Sequence, residues 1–126
     1  MDKYIISACL LGLRTRYDGT DKNRKKIMKK YGMNLVPVCP EQLGGLSTPR
    51  EPADIITTNK KKKLLTRETK TDVTGNFKKG ALETLMICKR LNIRKAILKS
   101  ESPSCGIGGI TYDLLKKNNI EIIIEN

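Results

Sequence analysis

The sequence contains no histidine and no tryptophan, and only one phenylalanine, Phe77. Without an imidazole, Ser-His-Asp triads, Cys-His nucleophile pairs and every His-containing zinc site are excluded. The four cysteines form no Cys-x-x-Cys pair, which removes the usual zinc-ribbon, thioredoxin and ferredoxin spacings. No apolar run approaches the roughly 20 residues of a membrane-spanning helix, so a soluble protein with no membrane partner is expected. Ile6-Ser7-Ala8-Cys9 copies a lipoprotein cleavage box, but the few residues before it include Asp2 and are too short for a signal's apolar region of about 7 to 15 residues. A cytoplasmic location with reduced thiols is therefore expected, and four reduced cysteines point to metal binding or catalysis more than to a disulfide framework.

What is present is a chain of 126 residues rich in isoleucine, leucine and lysine. That length suits one domain, residues 1–126, with a core of branched aliphatic side chains. Such a core favours buried parallel strands. Lysine and arginine total 25 against 13 aspartates and glutamates, a net charge of +12. The excess draws the chain toward polyanions such as RNA. Stacking aromatics are scarce, however, and lysine far outnumbers arginine, so a solvated basic surface is the simpler reading.

Apolar periodicity divides the chain into alternating elements. Residues 4–8 read as a first buried strand ending at Cys9, followed by a loop over 10–19. Asp21 is a candidate N-cap for a basic helix to Tyr31, closed by Gly32. Residues 35–38 form a second strand, bordered by an edge at Pro37. Residues 40–52 are dense in turn formers and read as an ordered loop with little regular structure. Residues 54–57 and 64–67 are expected to pair as a small β-hairpin whose exposed tip carries Lys60, Lys61, Lys62 and Lys63. A helix is predicted over 75–91, with Asp72 and Thr74 as its start and Asn92 at its end. Residues 95–99, 110–117 and 120–124 read as strand, helix and strand. The fold class is thus α/β: a small, doubly wound, mostly parallel sheet of Rossmann-like three-layer form, with a hairpin insertion.

Cys9, Cys39 and Cys105 each fall at or just beyond the carboxyl end of a predicted strand. In an open parallel sheet these ends share one edge, outside which ligands bind. Cys88 falls on the apolar face of the helix over 75–91 and reads as a small buried hydrophobe. Spacing alone leaves three readings: unrelated buried thiols, a zinc site completed by Glu41 or water, or a cubane iron-sulfur cluster with one iron lacking a thiolate. An open iron is a Lewis acid able to bind substrate, which points toward catalysis.

Several ordered motifs carry a resemblance over nearly the whole chain. They are Ser7-Ala8-Cys9-Leu10-Leu11-Gly12 with Arg16-Tyr17-Asp18-Gly19, Val38-Cys39-Pro40-Glu41 with Gly44-Gly45-Leu46 and Pro49-Arg50, Asp72-Val73-Thr74, and Ser102-Pro103-Ser104-Cys105-Gly106. Together they resemble the DUF523 family, which includes 2-thiouracil desulfurases. The resemblance implies a 4Fe-4S cluster held by Cys9, Cys39 and Cys105, with the fourth iron taking sulfur from a thiolated pyrimidine in non-redox chemistry. Leu114 stands where the family often has glycine, and the extra domain linked in some relatives to thiolated tRNA is not expected here.

On that resemblance Glu41 is the expected general acid or base and Ser102 its hydrogen-bonding or proton-relay partner, with Ser104 second. A solvated loop carboxylate and a serine shaping the turn before Pro103 are the plain alternatives. Arg16, Asp18, Arg50, Ser104 and Gly106 are candidate substrate contacts, against a simple Arg-Asp structural pair. Gly106-Ile107-Gly108-Gly109 would let backbone amides approach a cluster sulfide or substrate oxygen. The expected function is desulfuration of thiouracil or a similar pyrimidine. The alternatives are desulfuration of thiolated tRNA, motivated by the lysines of 22–30 and 60–63, and a non-catalytic metal or redox sensor.

Overall fold

The computed structural model describes residues 2–20 and 26–126. Four strands form one parallel sheet: β1 (Tyr4–Ser7), β2 (Leu35–Val38), β5 (Lys95–Lys99) and β6 (Glu121–Glu125), in the order β2-β1-β5-β6. Between β2 and β5 a separate antiparallel hairpin pairs β3 (Ala53–Thr58) with β4 (Lys61–Thr66). The helices are α1 (Ile27–Tyr31), α2 (Pro40–Leu43), α3 (Thr74–Leu91) and α4 (Ile110–Lys117). The expected three-layer, mostly parallel α/β architecture with a small hairpin is thereby found. Among the described residues no helix is long and apolar enough to cross a membrane.

Period-two alternation sorts the sheet residues into two cores. Ile5, Val38, Ala96 and Leu98 face Leu85 and Cys88 of α3 and Leu115 of α4. Ile6 and Ile97 face the opposite way, onto Leu10 and Ile27. A third cluster, Leu64, Val73 and Phe77, seats the hairpin against the start of α3. β2 is an edge strand, consistent with Pro37, which lacks a ladder donor.

Several boundaries differ from expectation. β1 ends at Ser7, because residues Ala8–Leu11 coil into a 3-10 turn that Gly12 closes at φ 92°. Pro40 begins a single helical turn inside what reads as loop, its fixed φ suiting the first helical position. The hairpin turns at Asn59 and Lys60, both left-handed at φ 51° and 63°, as a two-residue turn requires. Lys61, Lys62 and Lys63 therefore lie in β4 and not at the tip. Lys62 reaches across to donate to Gly108 O at 2.8 Å and Asp113 Oδ2 at 2.7 Å. Asp72 accepts from the Thr74 amide at 2.9 Å, as a helix start should, but the Thr74 hydroxyl instead accepts from Leu64 N at 2.9 Å. Asp21 and the lysines at 22 and 25 lie outside the described residues.

α2 is locked to α3 by backbone contact. A Cβ at Gly80 would lie 1.8 Å from Pro40 O, and one at Gly44 would lie 2.0 Å from Asn76 O. Asn76 Nδ2 donates to Gly44 O at 2.9 Å across the same seam. Gly75, by contrast, has nothing within 4 Å of a Cβ. Gly80→Ala is expected to cost about 3 kcal/mol through overpacking, whereas Gly75→Ala should stabilise by up to about 1 kcal/mol through helix propensity. Urea unfolding of the two variants checks the contrast.

Candidate functional site

The chain winds from β1 outward to β2, then crosses back over β1 to β5. This reversal opens a crevice at the carboxyl ends of β1 and β5, where doubly wound folds place ligands. A cavity of about 700 Å³ lies there, within the size range of small-molecule sites. Its walls include Cys9, Cys39, Cys105, Glu41, Ser102 and Ser104, while the hairpin side contributes Ile55, Arg67, Val73 and Phe77.

The three thiols arrive by three local devices. Cys9 sits in the 3-10 turn directly after β1 and is buried. Cys39 follows β2 in extended conformation and precedes Pro40 of α2; its half-buried thiol donates to Thr15 O at 3.6 Å. Cys105 is buried in the loop joining β5 to α4. In that loop the Ser102 hydroxyl accepts from Ser104 N at 3.1 Å and Cys105 N at 3.0 Å. Gly106 is required by crowding, since a Cβ would meet Ser102 N and O at 2.8 Å. Gly109 likewise serves the loop's own packing: a Cβ there would lie 2.4 Å from Ser104 O.

Burial pushes the Cys9 thiol above its ordinary value, against the pull of Lys99 and Arg16, and the neighbouring Cys39 pushes it further. Cys105 is pushed up to about 12, chiefly by burial, with Glu41, Cys39 and Cys9 adding to the rise; its hydrogen bond with the Ser7 hydroxyl works the other way. The three thiols are thus within electrostatic reach of one another. Cys88 lies apart in the α3 face of the core, pushed up by burial to about 11. All four cysteines are free.

Glu41 is held by Arg50. Arg50 Nε donates to Glu41 Oε2 at 2.6 Å and Nη2 pairs with the same oxygen. The remaining guanidinium donors reach Thr15 O at 3.0 Å, Ser47 O at 3.1 Å and Thr48 Oγ1 at 2.8 Å. Both side chains are largely buried, 8% and 13% exposed for Arg50 and Glu41. Among the described residues, nothing hydrogen-bonds Glu41 Oε1.

Other candidates divide. Arg16 lines the cavity, where its Nη1 donates to Thr20 Oγ1 at 3.1 Å and lies 3.8 Å from Asp18 Oδ2. Asp18 stands outside the cavity wall and accepts from Thr20 N at 3.0 Å, shaping its own turn. Gly106 also lies off the wall. Ser104 lines the cavity, but its hydroxyl is buried against Thr111 Oγ1 at 2.8 Å. Sequence reasoning missed Ser7 and Lys99, which end β1 and β5 at this edge. The available signal was a polar residue closing an apolar strand at the ligand-binding end.

The donor set fits an iron-sulfur cluster. Among the described residues no group of three cysteine, aspartate or glutamate side chains is placed to hold a single ion. The fit rests on the donors themselves: three cysteine thiols lining one cavity are the ligand type such a cluster takes, one thiolate per iron.

Comparison with known proteins agrees. Residues 4–123 match the model of a family described as 2-thiouracil desulfurase. The uncharacterized protein YbbK of Bacillus subtilis (strain 168) is 38% identical, over 97% of this chain and 95% of YbbK. Among solved structures, the [4Fe-4S]-dependent thiouracil desulfidase TudS superposes with a TM-score of 0.86 at 36% identity, covering 99% of this chain and 91% of TudS.

The site's chemistry generates two expectations. Arg50→Met should destabilise the fold by about 3 kcal/mol, because it strands the Glu41 carboxylate in a largely buried setting; Glu41→Gln, which removes that charge, should cost less in the same chemical denaturation. In cluster-free protein, iodoacetamide should label half-buried Cys39 first. Cys9, Cys105 and Cys88 should react slowly at neutral pH, because a thiol whose pKa is raised has less thiolate. Peptide mass spectrometry reads the order.

Proposed function

Because this chain belongs to the 2-thiouracil desulfurase family, we propose that it removes sulfur from thiouracil or a similar thiolated pyrimidine, using a 4Fe-4S cluster held by Cys9, Cys39 and Cys105. The observation that supports the reading is that these cysteines, from three separate segments, line one cavity together with Glu41. When bound, the cluster supplies an iron without a protein thiolate, a Lewis acid with affinity for sulfur. The net reaction is a hydrolysis: water gives its oxygen to the thiocarbonyl carbon, sulfur leaves as sulfide, and no electron is transferred.

The chain's residues then have distinct tasks. Glu41 holds or moves the proton of the attacking water at Oε1, while Arg50 fixes the carboxylate through Oε2. Fixing one oxygen leaves the other with a defined direction. Ser102 keeps its hydroxyl proton for donation, since its oxygen already accepts two backbone amides. The apolar wall of Ile55, Val73 and Phe77 excludes bulk water from the pyrimidine face.

Anaerobic purification with iron and sulfide analysis, followed by turnover of 2-thiouracil, tests the proposal. Serine at Cys9, Cys39 or Cys105 should lose or cripple the cluster, and Cys88→Ser should retain it. Glu41→Gln should keep the colour and lose turnover by about 10²-fold or more. A colourless protein carrying stoichiometric zinc would overturn the assignment.

A further inference from the structure

β5 is apolar except at its two ends, Lys95 and Lys99. Lys95, at the amino end, pairs with Asp2 at 2.9 Å and with Glu121 at 3.8 Å, far from the cavity in the strand direction. Lys99, at the carboxyl end, lines the cavity. A lysine at a strand end ordinarily extends its ammonium into water. Here Nζ donates to Ser100 O at 2.9 Å and lies 3.3 Å from Ser100 Oγ, which folds the side chain back along the wall.

Ser100 is itself anchored. Its amide donates to Glu125 O at 2.8 Å and its hydroxyl donates to Asn126 Oδ1 at 2.9 Å, so the strand β6 holds the residue that holds the ammonium. On the other side, Lys99 N donates to the Ser7 hydroxyl at 2.9 Å, and Ser7 and Cys105 both line the cavity. Lys99 is therefore fixed between the ends of β1 and β6, in the wall of the cavity that the three cysteines also line.

We propose that Lys99 is a positioning residue of charge: held against the cavity wall by Ser100, its ammonium offsets the negative charge that three thiolates gather around the cluster. The inference rests on the cluster reading above. Three thiolates outweigh the charge of a resting cubane core, and net charge is one of the factors that set a cluster's reduction potential. A fixed cation in a partly desolvated wall acts more strongly than one in water. The reaction is non-redox, so the potential serves as a reporter of local charge that a merely structural residue would not move.

Reduction potentials of the reconstituted wild type, Lys99→Met, Lys99→Gln and Lys99→Arg are measured anaerobically, with Lys95→Met as control. The neutral variants should shift to more negative potential and lose iron several-fold faster to a chelator. Lys99→Arg and Lys95→Met should match the wild type. Should Lys99→Met fail to fold, Lys99→Gln supplies the comparison. Equal potentials in the wild type and the neutral variants would overturn the proposal while leaving the cluster reading intact. A wild type that takes up no cluster would instead sink the reading beneath it.

Discussion

The site depends on one topological constraint: β1 lies inside the sheet, with β2 on one side and β5 on the other. Because all three strands run the same way, their carboxyl ends open toward a common crevice that no crossover covers. What lines the cavity enters from one of these ends, from the hairpin or from the start of α3. The buried pair of Arg50 and Glu41 then closes the loops over that crevice. The Arg50 guanidinium also takes Thr15 O, which receives the Cys39 thiol, and its amide donates to Tyr17 O at 2.6 Å. One residue thus ties the segment after Cys9 to the segment after Cys39.

This arrangement leaves polar groups at the edge of an apolar core. Among the described residues no buried side-chain nitrogen or oxygen lacks a hydrogen-bond partner. The thiols are the exception in kind: as thiols they are weak donors that burial tolerates, and as thiolates they are not. The raised pKa values of Cys9 and Cys105 express that preference. A metal group reverses it, since ligation needs the thiolates and releases their protons. Cys105 belongs to the hydrophobic cluster of Ile5, Val38 and Leu98, so this candidate ligand is rooted in the core.

Much of the fold was legible because local pattern and tertiary role coincide. The strand over 95–99 and the helix over 110–117 match to the residue, since apolar runs there are bounded by turn formers. The four-lysine run was misplaced for the opposite reason. Charge dominates its local pattern, but pairing of Lys61, Lys62 and Lys63 with Thr58, Thr57 and Ile56 decides its conformation, and pairing is not a local property. The one turn of α2 was hidden for a similar reason: Pro40 permits helix, but contact with Gly80 of α3 holds it there.

The site follows the same division. That Cys9, Cys39 and Cys105 share an edge could be read from their position after apolar strands. That Glu41 is bound by Arg50 could not, although both were singled out, because a hydrogen bond between loop residues has no sequence period. Ser7 and Lys99 left still less trace, each being one polar residue at the end of a strand. Their placement matters because a parallel sheet spends its strand interiors on packing and has only the strand ends to present chemistry. In such a fold the last residue of a strand is as informative as the loop that follows it.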